Sequence, residues 1–140
     1  MGKVTTANSQ RPRIDADSAE FWEGVRRRQL LVQKCDECSS LRFYPGAVCR
    51  ECWAPGYDWV PVSGVGEVYS VTRVHVAPGP EFQAKAPYYV GLIDLDEGVR
   101  MMGNVSCSRD GEIKVGARVE VWFEEVDAGA VLPQWQVVDK

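Results

Sequence analysis

The first amphipathic segment of the chain predicts an α-helix over residues 19–29. Its apolar residues Phe21, Trp22 and Val25 recur at helical spacing and lie near one another on one face. Ser18 stands directly before this segment and belongs to the residue types that cap helix N-termini. We therefore expect one helix close to the N-terminus, packed through its apolar face.

Two short strand-like segments follow the helix, Leu30–Lys34 and Leu41–Tyr44. Each of them lies next to a pair of cysteines, an arrangement that suits hairpin arms carrying metal knuckles. From Trp59 onward the pattern changes to the period-two alternation of strands, seen in VYSVTRVHV and VEVWFEEV. This change marks the start of a second structural unit.

The second half of the chain predicts five strands rich in Val, Tyr and Trp and separated by Gly or Pro turns. They are Gly66–Ala77, Tyr88–Asp96, Val99–Cys107, Arg118–Val126 and Pro133–Val138. The rhythm of alternating strands and helices that builds parallel sheets is missing, so a small closed antiparallel barrel of the OB type is favoured. The expected fold class is mainly β, with one N-terminal helix and a five-stranded OB-like barrel.

The stretch Pro78–Pro87 predicts a loop between the first two barrel strands, because three prolines and a glycine surround the isolated Phe82. Its length of about ten residues exceeds the usual two to five of a hairpin connection. Long loops on a barrel often carry function, although an irregular surface connection is an equal alternative.

Composition limits the class of protein further. Of 140 residues, 45% are hydrophobic, and 16 basic against 20 acidic residues give a net charge of −4. The apolar runs fall short of the roughly 20 residues that a membrane helix needs, so we expect a soluble, cytoplasmic protein. The polar residues 1–17 predict a flexible tail. The negative charge disfavours nonspecific nucleic-acid binding.

Four of the five cysteines form two Cys-x-x-Cys pairs, Cys35 with Cys38 and Cys49 with Cys52. Each pair places two thiols on one tight turn, and ten residues between the pairs allow a short hairpin to bring them together. One structural Zn²⁺ per chain fits this set best, since four thiolates leave no open position for water. Iron, which uses the same ligands, and disulfide pairing are the alternatives.

Groups for catalysis are scarce in the sequence. His75 is the single histidine, and alternation places it on the same strand face as Arg73, which indicates a surface or partner-facing role. Cys107 ends an apolar strand with no His or Lys nearby, so we interpret it as a buried, inert thiol. Because no nucleotide-binding loop or nucleophile motif is present, catalysis by this chain alone is not expected.

The run Arg26-Arg27-Arg28 is the main basic cluster, with Lys34 not far along the chain. Three consecutive helix positions fan out over about 200°, so these side chains cannot all face one ligand. One interpretation is a solvated helix end whose cations suit the C-terminal dipole. The other is a phosphate contact with a nucleotide-like cofactor or nucleic acid.

The order of several motifs is that of a known family. They are FWEG, LLVQKCDEC, RFYPGAVCREC, VSGVGEVYSVTRVH, APYYVGLIDLDEGVRMMGNV and GARVEVWFEEV. Together they resemble the DUF35 or ChsH2-like family over about residues 18–138. In the family, a glycine commonly follows the second cysteine of a knuckle. This sequence departs from that pattern, with Ser39 at that position in the first knuckle and Trp53 in the second.

The resemblance implies a helix with a rubredoxin-like zinc ribbon over residues 18–60 and an OB-fold domain over 61–140. It also implies an acyl-CoA-associated accessory subunit of a thiolase-like enzyme, such as a thiolase or a steroid side-chain retro-aldolase, with the nucleophile and bases on the partner. In a weaker hypothesis, Arg26, Arg27, Arg28 and Lys34 contact the CoA phosphates. Phe82 or Trp59 would line the thioester end.

A nucleic-acid-binding module is the alternative function, because OB barrels and zinc ribbons both often bind nucleic acids. Tyr69, Tyr88 and Trp122 are among the aromatic residues available for base stacking. Aromatic residues at strand period are more often part of a core, and the acidic balance argues against this class. An electron carrier with iron in the four-cysteine site is a third class.

Overall fold

The computed structural model describes residues 11–108, 111–126 and 129–138. Of the expected N-terminal tail, residues 1–10 therefore lie outside the described part of the chain. The elements in chain order are α1 (Ala19–Arg26), β1 (Leu30–Cys35), β2 (Leu41–Arg42), β3 (Tyr57–Val62), β4 (Val65–Val74), α2 (Gly79–Gln83), β5 (Tyr88–Leu95), β6 (Arg100–Ser106), β7 (Arg118–Glu125) and β8 (Val131–Val137).

Helix α1 ends three residues before the predicted end. Arg28 adopts a left-handed backbone with φ of 63°, and the N–H of Gln29 donates back to the Gly24 carbonyl at 2.9 Å. This pattern is a Schellman ending, in which glycine is the usual left-handed residue. Ser18 is the N-cap as predicted, but its hydroxyl donates to the Asp15 carboxylate at 2.8 Å and makes no cap hydrogen bond.

The zinc-ribbon region is a three-stranded antiparallel sheet in the order β2-β1-β3. Strand β3 was not predicted, and the expected boundary between residues 60 and 61 falls inside it. Asp58 and Pro61 interrupt its apolar pattern, yet six residue pairs join β3 to β1. Pairing with a buried central strand therefore outweighs the weak strand propensity of this segment.

The second unit is a closed barrel in the order β4-β5-β6-β8-β7, which confirms the five-stranded OB-like prediction. The expectation of antiparallel pairing throughout is wrong at one seam. Strands β6 and β8 run parallel, with Val105 opposite Trp135 and Ser106 opposite Gln136. The hairpin turn predicted at Asp94–Gly98 joins β5 to β6, where the Gly98 N–H donates to the Leu95 carbonyl at 2.9 Å.

The segment Pro78–Pro87, predicted as a loop, contains the short helix α2. Pro80 stands in its first turn, where a missing N–H costs nothing. None of the helices formed by the described residues is long and apolar enough to cross a membrane.

One apolar core joins the two units. Phe21 and Val25 of α1 and Leu30 and Val32 of β1 belong to the same buried cluster as residues from the barrel strands, among them Val68, Ile93, Met101, Val119 and Trp135. Trp135 is 1% exposed and is the largest fully buried side chain. The helix and ribbon are thus packed onto the barrel through shared apolar side chains, which fixes the position of the cysteine pairs.

Candidate metal centre and adjoining cavities

Two turns of similar geometry present the four cysteines. In the first, the Ser39 N–H donates to the Cys35 carbonyl at 3.1 Å, and in the second the Trp53 N–H donates to the Cys49 carbonyl at 2.9 Å. The backbone N–H two residues after the first cysteine of each turn points at its sulfur, at 3.4 Å for Cys35 and 3.3 Å for Cys49. Such N–H groups stabilise thiolates, so both turns are prepared for metal binding.

The four sulfur atoms lie within 4.8 Å of one another. The Sγ–Sγ distance is 3.6 Å from Cys35 to Cys52 and 3.6 Å from Cys38 to Cys49. A tetrahedral zinc site with Zn–S bonds of about 2.3 Å has sulfur atoms about 3.8 Å apart. These two distances are close to that spacing, so the four cysteines fit one tetrahedral ion. Among the described residues it is the one cluster of three or more His, Cys, Asp or Glu able to hold a metal.

Ionisation within the cysteine set is strongly uneven. The Ser40 hydroxyl, 3.3 Å from Cys49 Sγ, and the backbone N–H groups of Cys52 and Glu51 lower the pKa of Cys49 to about 6. The backbone N–H of Ala54 acts to lower the pKa of Cys52, but desolvation and the three neighbouring thiols together raise it to about 12. Four acids in contact cannot all ionise by themselves, whereas a divalent cation compensates the thiolate charges.

The residue after each cysteine pair has a left-handed backbone, with φ of 64° at Ser39 and 67° at Trp53. These are the two positions at which the family pattern has glycine, so the departure noted in the sequence keeps the turn geometry at a cost in strain. Trp53 is also 75% exposed. A large aromatic side chain thus stands at the tip of the second knuckle.

A buried polar pair supports the ribbon. No sequence pattern indicated it, because Arg42 has the character of an ordinary surface cation. Arg42 is 7% exposed and donates to the Gly46 carbonyl at 2.9 Å, while Gln33 accepts from the Gly46 N–H at 3.0 Å. The Arg42 guanidinium also lies 5.0 Å from the centre of the Tyr57 ring. These contacts hold the loop between β2 and the second knuckle against the sheet.

The structure separates the residues proposed for CoA. Arg26 and Arg27 approach Glu23 at 3.6 and 3.4 Å, and Arg28 pairs with Glu125. The other two residues of the predicted set are Lys34 and Phe82. Lys34 is exposed on β1, and Phe82 is half-buried on α2 with the Lys85 ammonium 5.8 Å from its ring centre. These residues lie on α1 and the turn after it, on β1 and on α2, and their joint contact with CoA stays a prediction.

The two isolated groups noted in the sequence lie on the barrel. His75 follows β4 and is exposed, in agreement with the surface role expected for it. Cys107 follows β6, is half-buried and packs against the core. It lies beside Ser106 and Arg73 in a cleft of about 620 Å³. Cys107 is therefore less buried than the interpretation as a buried thiol expected, and β6 ends one residue before it.

Two cavities adjoin helix α1. The first, which we name the basic cavity, has a volume of about 700 Å³ and is lined by Arg11, Arg13 and Arg26. The second, which we name the apolar groove, has a volume of about 220 Å³ and is lined largely by aromatic residues and methionines from α1, the β2 loop, β6 and β8. Sequence reasoning did not include Arg11 or Arg13, since both stand in the segment predicted as a tail.

Comparison with known proteins follows the same division into two units. Residues 22–58 match the family model of the ChsH2 rubredoxin-like zinc ribbon domain. Residues 59–124 match that of the ChsH2 C-terminal OB-fold domain. The two matches are consecutive and together include all four cysteines and most of the barrel. They confirm the ribbon and the OB-fold predicted from the sequence.

Three curated relatives have informative names. A DUF35 domain-containing scaffold protein of Methanocaldococcus jannaschii is 30% identical over 107 residues, 75% of each chain. A probable enoyl-CoA hydratase alpha subunit of Thermomonospora curvata is 36% identical over 88% of this chain, which spans only 38% of that relative. The benzoylsuccinyl-CoA thiolase subunit BbsA of Thauera aromatica is 30% identical over 65% of this chain and 66% of its own.

Among solved structures, the chain is similar to one from the Ltp2-ChsH2(DUF35) aldolase. That match has a TM-score of 0.81 and 35% sequence identity, and it covers 91% of this chain and 98% of the other. The ribbon, the barrel and their arrangement are therefore shared across the whole of the solved chain. The protein belongs to the DUF35 family, with the ChsH2-type zinc ribbon and OB-fold domains.

Proposed function

We propose that this protein is a non-catalytic, zinc-stabilised accessory subunit of an acyl-CoA-processing complex. In this proposal its partner is a thiolase-like enzyme, a thiolase or a retro-aldolase, that forms or cleaves a carbon–carbon bond. The partner supplies the nucleophile and the bases. This chain supplies a rigid docking surface and part of the binding site for the acyl-CoA.

The observation that carries the proposal is the likeness to the DUF35 chain of an aldolase over 98% of that chain. The named thiolase subunit among the relatives supports the same role. Because both names refer to multi-subunit enzymes, the shared architecture favours a subunit over an independent enzyme. The acyl-CoA named for the relatives is carried over here as part of the proposal.

The cysteine set supports a structural role for the metal. When bound, Zn²⁺ would be held by Cys35, Cys38, Cys49 and Cys52 and would join the two knuckles into one rigid unit. Four protein ligands complete a tetrahedral shell, so the ion is expected to hold shape.

Exposed apolar side chains on the ribbon support a protein partner. Tyr44 is 51% exposed, Val48 is 39% exposed and Trp53 is 75% exposed. All three lie between β2 and the second cysteine pair or directly after it, where the knuckle holds the backbone in place. Aromatic residues on a rigid support are frequent anchors of protein interfaces, because little conformational entropy is lost when they are buried.

The test is purification of the tagged, zinc-loaded chain from its native cells, followed by size-exclusion chromatography and mass spectrometry. We expect a thiolase-like enzyme or an aldolase in a fixed ratio to the chain. Trp53→Ala is expected to weaken the complex at least tenfold, as an interface anchor would. Val115→Ala is the matched control, because Val115 is 66% exposed on the barrel.

A chain that stays alone and leaves the activity of a candidate thiolase-like enzyme unchanged would contradict the accessory role. Salt-sensitive binding to single-stranded DNA would favour the nucleic-acid-binding class instead. If the complex forms equally well with Trp53→Ala and Val115→Ala, the accessory role stands and the interface lies elsewhere.

A further inference from the structure

The basic cavity concentrates positive charge on a chain whose net charge is −4. Arg11, Arg13 and Arg26 line it together with Trp22, and no carboxylate is among the described residues of its wall. Its volume of about 700 Å³ lies within the usual range of small-molecule sites, roughly 300–1,000 Å³. Arginine residues that line one cavity favour an anion, above all a phosphate, with which a guanidinium forms paired hydrogen bonds.

Arg26 is the member of the arginine run that lines this cavity. Its contact with Glu23 is 3.6 Å long, and both side chains are more than half exposed, at 65% and 51%. Surface pairs of this kind contribute little, so an anion in the cavity can compete for the guanidinium. Arg28, in contrast, donates both to Glu125 and to the Arg26 carbonyl and is held away from the cavity.

The apolar groove has the opposite character. Phe21, Phe43, Tyr44 and Met102 line its sides, and Trp135 also contributes to its wall. Met102 is 59% exposed, although its neighbour Met101 is buried in the core. A narrow groove with such a lining takes an unbranched apolar chain more readily than a polar group.

The two cavities meet at Trp22, which lines both. Two elements run along their common length: α1 presents Arg26 to the basic cavity and Phe21 to the groove, and β8 presents Val131 to the cavity and Trp135 to the groove. The four residue-to-residue steps from Val131 to Trp135 span about 13 Å. The basic cavity and the apolar groove are therefore neighbours along α1 and β8, with Trp22 in the wall of both.

We propose that the two form one site that binds an amphiphilic anion, with a phosphate-bearing head on Arg13 and Arg26 and an apolar chain that passes Trp22 into the groove. The inference rests on the proposed function, for which an acyl-CoA is the matching ligand, and it places the phosphate contacts at Arg13 and Arg26. A free fatty carboxylate shares the amphiphilic chemistry but lacks the phosphates. The experiment distinguishes these two sources.

The experiment is calorimetric titration of the full-length, zinc-loaded chain with octanoyl-CoA, free CoA and octanoate at one fixed salt concentration. Octanoyl-CoA is expected to bind more tightly than either other probe, because it alone fills both parts of the site. Among acyl-CoAs, affinity is expected to rise about threefold to fourfold for each CH₂ that enters the groove. Octanoate that binds as tightly as octanoyl-CoA would overturn the phosphate assignment.

Arg26→Gln and Arg13→Gln are each expected to weaken octanoyl-CoA binding about tenfold, as loss of a charged hydrogen bond does. Arg27→Gln is the matched control, because it removes the same charge from the next residue, which contacts Glu23 at 3.4 Å and does not line the cavity. Equal effects of Arg26→Gln and Arg27→Gln would leave only nonspecific attraction and would overturn the site.

Met102→Gln tests the groove, with Val115→Gln as the control for an exposed apolar residue elsewhere. Met102→Gln is expected to reduce the gain in affinity with acyl length and to leave the affinity for free CoA unchanged. A chain-length dependence equal to that of the wild type would overturn the groove as the acyl site. Failure of octanoyl-CoA to bind would overturn the whole inference. Recovery of a partner enzyme is measured separately, so either proposal can fail alone.

Discussion

Loss of the four-cysteine centre is expected to unfold the ribbon while the barrel stays folded. Cys49→Ser removes a sulfur that is 1% exposed and lies 3.6 Å from Cys38 Sγ. Binding of structural zinc contributes roughly 10–16 kcal/mol to the folding of small zinc-finger units. Whole domains have net stabilities of only about 5–15 kcal/mol. A ribbon whose edge strand β2 has two residues cannot offset a loss of that size.

The barrel is expected to persist because most of the shared core comes from its own strands, including Val68, Ile93 and Trp135. It is also expected to be weaker, since Leu30 and Val32 of the ribbon belong to the same core. Burial of each such side chain contributes about 1.5–3 kcal/mol, so loosening of both lowers the free energy of unfolding of the barrel by roughly 3–6 kcal/mol.

Amide hydrogen exchange measured by NMR separates the two units in one experiment. In Cys49→Ser, amides of β1, β2 and β3 are expected to lose protection, while those of the barrel strands keep part of it. Cys107→Ser is the matched control, because Cys107 lies outside the cysteine cluster and is half-buried. Ribbon protection equal to that of the zinc-loaded protein would refute the structural role of the metal.

Three further predictions concern stability. Trp135→Ala, at a residue 1% exposed, should cost about 3–5 kcal/mol in urea unfolding, whereas Trp53→Ala, at a residue 75% exposed, should change it by less than about 0.5 kcal/mol. Trp53→Gly should stabilise the zinc-loaded protein by roughly 1 kcal/mol in thermal unfolding, because glycine relieves the strain at φ of 67°; a lower melting temperature would contradict this. Hydrogen bonds from Arg100 lower the pKa of Asp94, so their stabilisation is present above the unfolded pKa of about 3.9 and is lost as pH falls through the folded value. The urea midpoints of wild type and Asp94→Asn should therefore differ at neutral pH and converge in acid, and a constant difference would exclude the pair as the cause.

The sequence was sufficient to predict the barrel and the meeting of the four cysteines, because both leave local signals. Alternation with a period of two follows directly from burial of one strand face, and paired Cys-x-x-Cys turns are set by the geometry of one ion. Strand β3 left no such signal, since Asp58 and Pro61 break its pattern and only pairing with β1 makes it a strand. The early end of α1 was equally hidden, because Arg28 takes a backbone conformation that usually belongs to glycine.

The basic cavity could not be predicted because it depends on contacts distant in sequence. Arg13 stands in a polar segment that predicts a tail, and Arg26 stands in a run whose members point in different directions. Only the fold brings both to the same cavity beside Val131. The parallel seam between β6 and β8 was hidden for the same reason, because alternation within a strand carries no information about the direction of its neighbour.

Strand β1 links the two halves of this protein, so the boundary between the family domains is a poor place to cut the chain. Its Leu30 and Val32 belong to the barrel core, its Cys35 is a predicted metal ligand, and its partner β3 crosses the junction at residues 58 and 59 between the two family domains. A fragment beginning at residue 59 would lack β1 and expose the core surface that Leu30 and Val32 cover. Chimeras that exchange ribbons between relatives should therefore be joined after Val62, so that the donor ribbon brings both strands and its own contacts with the barrel.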